Sequence, residues 1–206
     1  MKSKEEVVQE YRIQSIQEAT MRVIARKGMA AATMQDIADE AGVAKGTIYL
    51  YFRDRDELVE KTFECAMLEL FQRIDDALHR DMPFEEKMRA VISAQLAFFR
   101  NNREFFRLYL ALRTSDNPQQ RQRRQKQTCH PQYRARVQNF AGVLEQAMDR
   151  GEIRRLDPLR LALFIIEGST AIIIERLSEE ESPPAEADVD LITGLILDGV
   201  RKRESN

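Results

Sequence analysis

The sequence predicts an all-α protein, because apolar residues recur at three- and four-residue steps along most of its length. It shows no sustained alternation with a period of two, the mark of a half-buried strand. Helix starts and stops also fall where the apolar pattern changes phase. Thr33, Asp54 and Asp157 are N-cap residues, Gly28, Gly42 and Gly151 are stops, and Pro83 and Pro158 suit first turns. The punctuation divides the chain into roughly nine helices.

The first helix carries Ile13, Ile16, Thr20, Val23, Ile24 and Lys27, and Gly28 stops it. Thr33 then caps a short helix, with Asp36 three residues on, close to capping-box spacing. Met34, Ile37, Ala38 and Ala41 give this helix a buried face, and Gly42 permits a sharp turn. Residues 45–51 form a third helix. Asp54 caps a long fourth, with Glu57 as its capping-box partner, running through Phe63, Met67, Leu70, Phe71, Ile74 and Leu78. The run Asp81-Met82-Pro83 breaks it. Helices over 84–100 and 103–113 are separated at Asn101-Asn102, and 114–118 is a loop. Residues 119–150 are helical again with a break or kink at Pro131. Asp157-Pro158 opens an apolar helix to Leu177, 178–187 is an acidic loop holding Pro183-Pro184, and a last helix covers 188–201. No internal repeat is visible.

Composition narrows the class of protein. Hydrophobic residues are 43% and charged residues 32% of the 206, too apolar for disorder. No stretch approaches the roughly 18 to 20 unbroken apolar residues of a membrane span. The N-terminal ten residues are charged and lack a signal peptide's apolar core, so a cytoplasmic, membrane-free location is expected. Two cysteines, Cys65 and Cys129, make no disulfide framework. A net charge of −2 excludes a uniformly basic coat, so any nucleic-acid contact must come from a local face.

Residues 33–52 supply such a face. Ile37, Ala38, Val43, Ile48 and Phe52 are spaced to point inward, and Ala38 and Ala41 are small enough for close helix crossing. The second of the two short helices is left presenting Lys45, Gly46, Thr47, Tyr49, Leu50 and Tyr51. A cation, hydroxyls and a flat ring suit phosphates and base edges. Gly46 removes a side chain where a backbone could approach, although glycine costs a helix about 1 kcal/mol relative to alanine.

The run TMQDIADEAGVAKGTIYLYF over 33–52, followed by RDRDEL over 53–58, resembles the DNA-binding domain of the TetR family of bacterial one-component repressors. The likeness spans Ile13 to Leu58; the rest of the chain matches in length and helical layout. Tyr51 sits where a histidine is frequent and Ala44 where a serine is frequent. The resemblance implies base or backbone contacts from Lys45, Thr47 and Tyr49 beside Gly46, phosphate contacts from Thr33, Tyr51 and Arg55, and base preference set at Ala44 and Leu50. Arg55, between Asp54 and Asp56, also fits a surface ion pair. The implied organisation is a DNA-binding head over 1–56 and an effector-binding, dimerisation body over 57–206. One head covers few base pairs, so a homodimer on a pseudo-palindromic double-stranded operator is expected.

In the body, Leu161, Phe164, Ile165, Gly168 and Ile172, with Leu191, Gly194, Leu195 and Asp198, fall at helical steps and form the candidate dimer surface. The alternative is packing inside one subunit. An aromatic stripe of Phe63, Met67, Phe71, Phe98, Phe99, Phe105, Phe106 and Tyr109 reads either as core or as the lining for an apolar or aromatic small-molecule effector. The basic run 121–126 is a second nucleic-acid patch or a solvated helix face, the latter being the plainer reading. His79 and His130 lack partners at metal or catalytic spacing, and neither a Gly-rich phosphate loop nor a nucleophile elbow is found. No enzyme, metal or cofactor is expected. A helical scaffold that binds only protein partners is the rival class.

Overall fold

The computed structural model describes residues 3–114, 131–178 and 185–201. Among the described residues there are nine helices and no strand: α1 Lys4–Lys27, α2 Met34–Ala41, α3 Lys45–Tyr49, α4 Arg55–Leu78, α5 Phe84–Asn101, α6 Arg103–Thr114, α7 Pro131–Asp149, α8 Pro158–Ser178 and α9 Ala185–Val200. The all-α expectation holds. The basic run 121–126, Cys129 and His130 lie outside the described residues, as do 119–130 of the expected long helix.

Local chemistry explains most boundaries. Thr33 and Asp36 form a reciprocal capping box: the Thr33 hydroxyl accepts from the Asp36 N–H while the Asp36 carboxylate accepts from the Thr33 N–H. Gly42, at φ 67°, closes α2, with Val43 N–H donating to the Ala38 carbonyl at 3.0 Å and Gly42 N–H to Asp39 at 3.3 Å. Gly151, at φ 75°, ends α7 in the same way through Glu152 to Ala147 and Gly151 to Met148. Asp157 accepts from Arg160 N–H at 2.9 Å, leaving Pro158 as the first helical residue, where a missing N–H costs nothing.

Three boundaries differ from the sequence reading by more than one residue. α1 starts at Lys4, because Ser3 and Glu6 form a capping box. α3 stops at Tyr49, and Leu50 and Tyr51 lie in the turn that follows. α9 starts at Ala185, so Ala185 to Ala187 are helical rather than loop. Asp54 caps α4 as expected, accepting from Glu57 N–H at 2.8 Å, but the Glu57 carboxylate reaches one residue further back, to Arg53 N–H at 2.6 Å.

The chain divides into two compact units, one drawn from Met1–Glu69 and Asn102–Arg124, the other from Leu70–Asn101 and Gln125–Asn206. In the first, α1 packs against α2 and α6, and α2 against α3. Its core holds Ile16, Ala19, Val23, Ile37, Ala38, Ile48, Phe52 and Leu58, all buried. In the second, α7 lies on α8, and α5 lies on α9 and α8. Gln95 is buried there and engaged at both ends of its amide, donating to the Thr170 hydroxyl at 2.6 Å and accepting from Ser169 at 2.8 Å. Such a pairing offsets the desolvation of a polar side chain in a core. Arg154 ties the segment after α7 to the end of α9, where Val200 and Gly199 present open carbonyls at 2.9 and 3.0 Å.

Candidate nucleic-acid interface

The short helix α3 is anchored from below at two points. Ile48 is completely buried and Phe52 nearly so, and Phe52 N–H donates to the Ile48 carbonyl at 3.0 Å. With its inner edge fixed, α3 turns Lys45, Gly46 and Tyr49 to solvent and leaves Thr47 half-buried; in the turn that follows, Leu50 is exposed and Tyr51 half-buried. The expected inward set is observed, with Val43 half-buried rather than sealed. Gly46 has open space around it: a Cβ placed there would meet nothing within 4 Å. Among the described residues, no packing requirement therefore calls for glycine at position 46.

Charge on the head is sorted by ion pairing. Glu40 takes Arg22 and Arg26, each at 2.9 Å, and Asp36 takes Lys27 at 2.6 Å. Hydrogen bonds from Lys27 and from the Thr33 hydroxyl and N–H pull the Asp36 carboxyl down to about 2. Arg22 and Arg26 likewise lower Glu40. Asp54 is lowered by the Glu57 N–H and by Arg53. Asp36 and Glu40 stay ionised and neutralise Lys27, Arg22 and Arg26 of α1, while Asp54 pairs with Arg53. Lys45 has no ion pair among the described residues, so its ammonium remains available to a phosphate or a base edge.

Two of the expected phosphate ligands have internal partners. The Thr33 hydroxyl donates to the Asp36 carboxylate at 2.8 Å in addition to capping α2. Arg55 departs further from expectation: it is turned inward, Nη2 donating to the Met29 carbonyl, with Nε buried and unpartnered. Neither the surface ion pair nor a free phosphate ligand describes it, because that carbonyl lies open in the loop after α1.

The aromatic stripe falls into two groups, one in each unit. Phe63, Phe105 and Tyr109 cluster in the first, with ring centroids 5.6 to 6.2 Å apart, where Phe106 is buried and Met67 half-buried. In the second, Phe98 and Phe99 meet edge to face at 5.9 Å, and the Arg73 guanidinium lies 5.7 Å from the Phe98 ring centre. Phe71 packs at 6.0 Å against Tyr133, a residue the stripe omitted, whose hydroxyl donates to Glu167 at 2.9 Å. Next to that pair Asp75 accepts from Arg136 and, at 2.9 Å, from Asn139.

Of the candidate dimer residues, Phe164 is 70%, Leu195 60% and Leu191 54% exposed, and Asp198 is exposed with them. Leu161, Gly168, Ile172 and Gly194 are half-buried. Ile165 is a correction: at 2% exposure it belongs to the core of its own subunit, because one residue on from Phe164 the helix has turned by about 100°.

Residues 16–62 match the family model described as bacterial regulatory proteins, tetR family. The HTH-type transcriptional regulator YhgD of Bacillus subtilis is 25% identical over 181 residues, covering 88% of this chain and 90% of that protein. The fatty acid metabolism regulator protein of the same organism is 27% identical over 152 residues, covering 74% and 76%. The structure of FadR from B. subtilis in complex with stearoyl-CoA superposes with a TM-score of 0.78 at 23% identity, covering 91% of this chain and 99% of that one. FadR from Bacillus halodurans gives 0.79 at 22%, covering 93% and 97%. At these identities the structural likeness is one of fold.

Proposed function

We propose, from the match of residues 16–62 to the tetR family model, that the chain is a DNA-binding transcriptional regulator of that family, a homodimeric repressor released from a pseudo-palindromic operator by an apolar small molecule. The functional division proposed is a head over 1–56 and a body over 57–206. One observation supports the DNA contact above the others: α3 presents an ammonium with no ion pair among the described residues, together with a phenol ring, on a backbone clamped by Ile48 and Phe52. Lys45, Thr47 and Tyr49 are assigned to the major groove, and Thr33 and Tyr51 to flanking phosphates.

Dimerisation is assigned to Phe164, Leu191 and Leu195, whose exposed apolar surface lies on two adjacent helices of one unit. A second copy brings two heads to successive grooves about 34 to 36 Å apart. The effector is assigned to the neighbourhood of Phe71 and Tyr133, where apolar rings stand beside a few charged and amide groups, the composition of a small-molecule site. The stearoyl-CoA bound by the B. subtilis FadR makes long-chain acyl thioesters the first compounds to try. Effector binding would favour one of two head spacings, communicated along α4.

Selection from a library of genomic fragments with purified protein tests the reading. A regulator enriches one or a few sites, and a helical scaffold that binds only protein partners enriches none. Titrating acyl thioesters and a panel of apolar compounds against the enriched site then tests release.

A further inference from the structure

Among the described residues the most exposed large apolar side chain is Leu50, at 77%. Its exposure is not that of a frayed end. Leu50 keeps a right-handed helical backbone at φ −71° and ψ −23°, and the Tyr51 and Phe52 N–H groups both reach back past it to the Ile48 carbonyl at 3.0 Å. Residues two before and two after it are sealed in the core, so the leucine is held out to water on a stiff frame. One turn earlier, the helical neighbour at i−4 is Gly46, whose missing side chain leaves open space. Tyr49, 48% exposed, stands beside it.

A duplex offers this surface one apolar partner. Phosphates and the donor and acceptor groups of base edges are polar; the apolar group that projects furthest into the major groove is the C5-methyl of thymine, where cytosine carries only a C5–H. We propose that Leu50 is a specificity-determining residue that packs on the C5-methyl of one thymine in each operator half-site, with Gly46 keeping the approach to that base pair clear. The assignment rests on α3 being the recognition helix and adds to it a base and an atom.

The test uses the full chain and duplexes carrying its selected site, with each thymine replaced in turn by deoxyuridine, which lacks only the methyl. Wild-type affinity is expected to fall about fourfold at one thymine per half-site, the effect of losing one buried methyl group. Leu50→Ala is expected to bind the thymine and uracil duplexes equally while keeping its melting temperature, since so exposed a side chain adds little to the fold. Leu50→Asn is expected to enrich a different base at that position. If a site is selected but its deoxyuridine scan is the same for wild type and Leu50→Ala, the assignment to Leu50 is overturned and α3 stands as the reading element. Should no site be selected, α3 as a reading element is itself overturned.

Discussion

Lys27 Nζ donates to Asp36 Oδ1 at 2.6 Å, tying the last turn of α1 to the first turn of α2. The same carboxylate closes the Thr33 capping box, so one acidic side chain sets both the start of α2 and its docking on α1. The Asp36 carboxyl titrates at about 2 in the folded head, against about 3.9 in an unfolded chain. Its contribution is therefore complete above about pH 5 and disappears as pH falls toward 2. Thermal melts of wild type and Asp36→Asn across that range should converge with acid. Glu40 and Asp54, also lowered, leave the variant a residual slope of the same sign.

Gly46→Ala separates a structural glycine from a functional one. Open space around position 46 means that the methyl meets no protein atom, and alanine should stabilise the head by up to about 1 kcal/mol. Operator affinity should nevertheless drop, by about tenfold or more, as the methyl intrudes on the DNA. Melting temperature and affinity moving in opposite directions is the expected result.

Arg55→Ala should act on the head rather than on the DNA. Losing the charged donor to Met29 costs about 1.5 to 3 kcal/mol, partly offset by removing the unpartnered Nε, so a net loss of about 1 kcal/mol is expected. The slope of log affinity against log salt should stay unchanged, where a lost phosphate contact would reduce it by about 1.

Phe164→Glu places a charge on the exposed apolar surface of α8 without touching the core. Sedimentation should show a monomer, helical content by circular dichroism should be preserved, and affinity for a two-half-site operator should collapse toward that of one head.

The helical layout was legible because caps and period-3.6 apolar steps act over a few residues: Thr33–Asp36, Gly42 and Asp157-Pro158 each carry their own reason. The Ser3–Glu6 box carries the same signal but is masked by its charged neighbours. What stayed illegible depends on partners distant in sequence. Arg55 looks like any surface arginine until Met29, 26 residues away, is brought beside it. Gln95 gives no hint of burial without Ser169 and Thr170. The aromatic stripe read as one set because spacing along the sequence does not distribute rings between two units; Tyr133 joins Phe71 from a helix the stripe never reached.

The role proposed for the exposed face of α3 is to distinguish one duplex sequence from another. The most direct measurement is the ratio of affinities for the selected site and for a scrambled duplex at one fixed salt concentration, for wild type and for Lys45→Ala and Tyr49→Ala. A ratio of about 10³ or more for wild type, falling by about tenfold or more in each variant while binding to the scrambled duplex changes little, is the expected result. A wild-type ratio near one, or variants that keep the full ratio, would contradict it.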